Sequence, residues 1–110
     1  MDINYVKSKI YNGMIFCKVK EKTNIIKVMD DGFTYAIGEN GNKKKVTFRE
    51  VEQAIIEIEE TGLINRNWYE KTFPKRSKNN PCNFTSIGGV LQELGYVKYI
   101  ESNYVKLNKD

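Results

Sequence analysis

NFTSIGGVLQELGYVKYIESNYVKL, residues Asn83 to Leu107, carries the clearest element pattern in the chain. Ile87, Val90, Leu91 and Leu94 recur at the i, i+3, i+4, i+7 spacing of one helix face. Gly95 stops that helix, because glycine takes the left-handed conformation at a helix end without steric cost. Two short runs rich in Val, Ile and Tyr follow, YVKYI and YVKL, separated by Glu101-Ser102-Asn103. A short helix followed at once by a hairpin needs other elements to cover it, and the upstream residues are expected to supply them.

Immediately upstream lies Pro74–Asn83, PKRSKNNPCN, with two prolines and the cations Lys75, Arg76 and Lys78 but no acid. It reads as a basic loop, and Thr85 or Ser86 as the cap of the helix that it delivers. Before it, Asn65–Phe73 is expected to form a short helix carrying Trp68 into the core, ended by Pro74. Leu63-Ile64 reads as an apolar link. Arg49–Gly62 is the most regular helix: Thr47 and Glu50 have capping-box spacing, and Val51, Ala54, Ile55 and Ile58 form the buried stripe. Glu50, Glu57 and Glu60 are assigned to the solvated side.

Between Gly13 and Phe48 the apolar period changes to two. Met14–Lys20 reads as a strand with Ile15, Cys17 and Val19 on one face, followed by a polar turn at Glu21-Lys22-Thr23. Asn24–Asp30 is the second strand, and Asp31-Gly32 a hairpin turn whose glycine would supply a positive φ. Phe33–Ile37 is the third strand, Gly38-Glu39-Asn40-Gly41 a second turn, and Lys44–Phe48 the fourth strand. Lys43-Lys44-Lys45 reads as a charge-protected edge or as part of a basic surface. Residues 2–12 are a short helix or an extended arm.

The predicted fold class is therefore α+β: an N-terminal four-stranded antiparallel β-meander packed on a C-terminal unit of three helices and a hairpin. A chain of 110 residues suits one domain, residues 1–110, with a meander subdomain at 1–48 and a helical one at 49–110.

Helix, short link, helix, loop, helix, hairpin is the order of elements in a winged helix-turn-helix domain, and TSIGGVLQELGYVKYIESNYVKL resembles its third helix and wing. The resemblance spans residues 49–107. It implies a DNA-binding or protein–protein module. Here about ten residues separate the second and third helices, where the family uses a tight turn. The candidate recognition helix, Thr85–Leu94, holds Glu93 and no Lys or Arg. Major-groove reading rests largely on Arg, Lys, Asn and Gln, so sequence-specific readout is not expected of it.

Charge is unevenly spread. The net charge is +4, but residues 49–62 sum to −4 while 1–48 and 63–82 sum to +4 each. With no histidine in the chain, Ser-His, Cys-His and His-containing zinc sites are excluded in cis. No phosphate-cradling glycine motif is present, and no Asp or Glu has Lys two residues later, as many metal-dependent nucleases require. The expectation is a non-catalytic protein without metal or cofactor. Two cysteines form no disulfide framework. No apolar run suits a membrane span or signal peptide, so the expected compartment is the cytoplasm.

Candidate binding residues are Lys71, Lys75, Arg76, Lys78, Thr85, Ser86, Gly88, Gly89 and Lys98. The basic loop leads into a helix N-terminus, which favours anions, and the Gly88-Gly89 pair would allow a phosphate close approach or permit tight helix packing. Tyr96, Tyr99 and Tyr104, interleaved with Lys98 and Lys106, suit base stacking or a protein interface. The leading expectation is contact with nucleic acid or a nucleoprotein complex. Lysine outnumbers arginine fifteen to three and there are twelve Asn, a bias that A/T-rich coding sequence produces. It motivates an alternative: a phage or mobile-element inhibitor that docks on a bacterial host defence protein, as anti-CRISPR proteins do. A third reading is a homodimer through the tyrosine-rich hairpin.

Overall fold

The computed structural model describes residues 1–38 and 41–108 and is α+β. Residues Ile3–Lys9 form α1, capped by the Asp2 carboxylate, which accepts from Tyr5 N at 2.9 Å. Strands β1 (Ile15–Lys18), β2 (Glu21–Met29), β3 (Gly32–Ile37) and β4 (Asn42–Thr47) pair antiparallel in the order β1-β2-β3-β4, the expected meander. Its inner face buries Phe16, Ile25, Phe33, Tyr35 and Val46.

The face assigned to the first strand is reversed. Met14 and Phe16 are buried, whereas Ile15 and Val19 are exposed and Cys17 is half-buried. Both faces of MIFCKV are apolar, so alternation alone did not choose between them. The ring of Phe16 has the most area to remove from water. The turn is also displaced: Lys18 pairs with Glu21, leaving Val19-Lys20 as the corner in place of Glu21–Thr23.

Met29 pairs with Gly32, so Asp30-Asp31 is the loop between β2 and β3. Gly32 does not have the positive φ expected of it. A Cβ there would stand 2.1 Å from the Val46 carbonyl oxygen, so glycine serves the close approach of β4. Of the second expected turn, Glu39 and Asn40 lie outside the described residues.

Helix α2 (Phe48–Thr61) starts with the predicted capping box between Thr47 and Glu50 and stops at Gly62, φ 90°. Val51, Ala54, Ile55 and Ile58 are buried on it. The link after it is a strand, β5 (Leu63–Asn65), which pairs with β7. Helix α3 (Arg66–Thr72) buries Tyr69, with Trp68 half-buried at its edge.

The expected basic loop is largely helical. Pro74 ends α3 and is itself the first residue of α4 (Pro74–Asn79). Proline's fixed φ and missing N–H suit a first helical position. Lys75, Lys78 and Asn79 lie on its solvated side while Arg76 and Ser77 turn inward, and only residues 80–82 connect it to α5 (Asn83–Glu93). Gly95, φ 77°, follows α5, and β6 (Val97–Ile100) and β7 (Asn103–Lys106) complete a second sheet in the order β5-β7-β6.

Helix α5 lies between the two sheets. A Cβ on Gly88 would fall 2.2 Å from the Tyr104 ring, and one on Gly89 would fall 2.3 Å from the Cys17 carbonyl oxygen. One glycine admits the hairpin and the other admits the meander. The apolar core is accordingly continuous across residue 48, from Val6 and Phe16 through Ile58 and Leu91 to Tyr104.

Candidate functional site

Two arrangements meet at the joint between the meander and α4, one buried and one exposed. The buried one centres on Glu50, the capping-box residue, which was assigned to solvent and is instead fully buried. Its carboxyl oxygens accept from Thr47 N at 2.7 Å, from Asn83 Nδ2 at 3.3 Å and from the Tyr69 hydroxyl through a short bond. Arg76 Nη2 lies 3.3 Å from Oε2. Asn83 Nδ2 also donates to the Lys45 carbonyl at 2.9 Å, and Tyr35 OH donates to Asn83 Oδ1 at 2.6 Å. Six elements, β3, β4, α2, α3, α4 and α5, are tied together through one carboxyl group and one amide.

Burial, reinforced by Cys82 at Tyr35 and by Glu50 at Tyr69, raises both phenols well above their ordinary value. The cluster's groups are spent on one another, except that Arg76 Nε is buried without a hydrogen-bond partner among the described residues. Its chemistry is structural: a buried carboxyl group is tolerable only where donors converge on it.

The exposed arrangement is basic. Lys71, Lys75 and Lys78 project into solvent from α3 and α4. Lys44 Nζ donates to the Asn79 carbonyl at 3.3 Å, and Arg76 donates to the Lys45 carbonyl, so β4 runs against α4. Lys44, distant in sequence, therefore joins Lys75 and Lys78 of α4, whereas Lys43 and Lys45, its neighbours on the strand, point to the other face of the sheet. Lys45 is spent on Asp31 at 2.8 Å, and that hydrogen bond holds the Asp31 carboxyl below the usual carboxylate range. Lys43, Lys44, Lys71, Lys75 and Lys78 form no ion pair among the described residues.

The remaining candidates fall elsewhere. Arg76 turns inward to Glu50, so it is a tie and not a free cation. Thr85 is half-buried and Ser86 buried, and neither caps α5: both hydroxyls donate to the Cys82 carbonyl at 3.1 Å. Asn83 and Phe84 bury the first turn of α5, and Gly88 and Gly89 are packed against protein, which closes the helix start expected to receive a phosphate. Lys98 is exposed, but on β6, the strand of the second sheet furthest from β5. Tyr96 and Tyr104, expected at the surface of the hairpin, are buried, and Tyr99 is half-buried.

Sequence reasoning missed the Glu50 cluster and left Lys43–Lys45 open between two readings. The capping-box spacing marked Glu50, but nothing along the chain marked the convergence of Tyr69, Arg76 and Asn83. Among the described residues no helix is long and apolar enough to cross a membrane, and no group of three His, Cys, Asp or Glu side chains is placed to hold a metal ion.

Compared with family models, curated proteins and solved structures, the chain matches none.

Proposed function

We propose that this protein is a non-catalytic module that binds nucleic acid, or a nucleoprotein complex, through the lysine surface of α3, α4 and β4. The observation that carries the reading is that Lys44 of β4 reaches the end of α4, whose Lys75 and Lys78, like Lys71 of α3, are exposed without a carboxylate partner among the described residues. Unpaired lysines on one surface release counterions when they neutralise phosphates, which supplies sequence-independent affinity. Residues 49–107 form a winged-helix-like unit in this reading, supported by the order α2, β5, α3, α4, α5, β6, β7. Its third helix is buried between two sheets, so contact runs through α4 and the β4 edge. Backbone charge and shape are read, and base sequence is not.

The test is fluorescence anisotropy with labelled duplex DNA and RNA across a salt series. Wild-type affinity falls steeply with salt. The Lys75→Glu/Lys78→Glu variant, altered only at exposed positions, binds at least about tenfold more weakly, and its salt slope is shallower by roughly 2. Wild-type protein that shows no salt-dependent binding to either nucleic acid overturns the reading.

A further inference from the structure

The face of α2 that carries Glu52, Ile55, Ile56, Glu59 and Glu60 holds a second surface, of opposite charge. These positions recur at i, i+3, i+4, i+7 and i+8, one side of a helix. Helix α1 lies along this side and runs antiparallel to α2, with Lys7 Nζ 5.1 Å from the ring centre of Phe48 at the start of α2. Seven residues of α1 cannot cover fourteen of α2. Between this face of α2 and Met1, Asp2 and Ile3 at the start of α1 lies a groove of about 340 Å³. Its floor is Ile3, Ile55 and Ile56, and Ile56 is 44% exposed. Its rim is Glu52, Glu59 and Glu60, with Asp2, spent on capping α1, and Met1, whose ammonium group acts on Glu59, along the other side. Glu59 is already held by Lys106 at 2.9 Å and by the Tyr96 hydroxyl. Glu52 and Glu60 have no ion-pair partner among the described residues.

We propose that this groove docks a Lys- or Arg-bearing amphipathic segment of a partner protein. Apolar side chains of the segment would cover Ile56 and its neighbours, and its cations would meet Glu52 and Glu60. The rim selects the occupant. An anionic lipid surface or nucleic acid is repelled by these carboxylates. A second copy of the chain fits poorly, because its own basic helix, α4, turns Arg76 and Ser77 inward and offers no apolar face. The proposal stands independently of nucleic-acid binding, which uses a different surface. Together the two would make the protein a bridge between a nucleic acid and a basic protein segment.

The experiment titrates isotope-labelled protein with a synthetic helical peptide having one leucine face and one lysine face, followed by NMR. Expected are saturable shifts centred on Ile3, Ile55, Ile56 and Glu60. Ile56→Glu is expected to weaken binding at least about tenfold, as is Glu52→Lys/Glu60→Lys. A matched leucine–glutamate peptide should not bind. Thermal unfolding of each variant, altered only at exposed positions, should match wild type and shows that the fold is kept. Absent saturation, shifts centred elsewhere, or equal binding by the acidic peptide overturns the proposal. So does a wild-type dimer in sedimentation that Ile56→Glu dissociates, because a second copy would then occupy the groove.

Discussion

Glu50 occupies the third position of α2, and its carboxyl group is shared by Thr47, Tyr69, Arg76 and Asn83. Removing a buried acceptor leaves its donors desolvated and unpaired, which costs more than the bonds themselves contributed. Glu50→Ala is expected to destabilise the protein by about 3–5 kcal/mol. Glu50→Gln should cost distinctly less, since one amide oxygen still accepts. Tyr69→Phe removes a single donor and should cost about 1–2 kcal/mol. Urea unfolding midpoints measure all three, and equal losses for Ala and Gln would contradict the account. The capping role of this residue was visible in the sequence because it depends on a spacing of three. Its burial was not, because the helix period places Glu50 beside the stripe and only the fold brings α3, α4 and α5 over it.

Long periodic elements were readable for the same physical reason: the meander, α2, α5 and the hairpin each repeat their apolar residues over several turns or pleats. Strand β5 is three residues long and too short to show a period. Helix α4 was hidden by its charge and by Pro74, which marks a helix start as well as a stop. The basic surface was therefore half visible: its α4 lysines stood out as a run, but their union with β4 depends on Arg76 and Lys44 reaching across. The β6–β7 turn carries its own test. Glu101 and Ser102 lie at φ 48° and 71°, the left-handed region, although neither is glycine. Two-residue hairpins of this kind favour Asn-Gly. Glu101→Asn/Ser102→Gly should add about 1 kcal/mol of stability. For a chain of this size that is a rise of roughly 4 °C in the thermal midpoint. An unchanged or lower midpoint would show that the turn stores no such strain.

Across the whole molecule, buried tyrosines link the parts: Tyr35 from the meander, Tyr69 from α3, and Tyr96 and Tyr104 from the hairpin sheet. Burial is the first cause that raises each of the four phenols above its ordinary value, with the Glu50 and Glu59 carboxyl groups adding to it at Tyr69 and Tyr96. A group whose folded pKa is raised stabilises the fold fully below its unfolded pKa and loses that contribution as pH rises beyond it. Stability should therefore hold up to about pH 10, the ordinary tyrosine value, and fall steeply above it. The measurement uses a Tyr5→Phe/Tyr11→Phe/Tyr99→Phe background, so that phenolate absorbance reports the four interior rings. Because one core joins meander and hairpin through α5, the absorbance rise and the loss of far-UV ellipticity should coincide in a single transition. Phenolate signal that grows while ellipticity is intact would mean that these rings are open to solvent in the folded protein. Two separated ellipticity steps would mean that the two sheets unfold independently, and that the Gly88 and Gly89 contacts do not couple them.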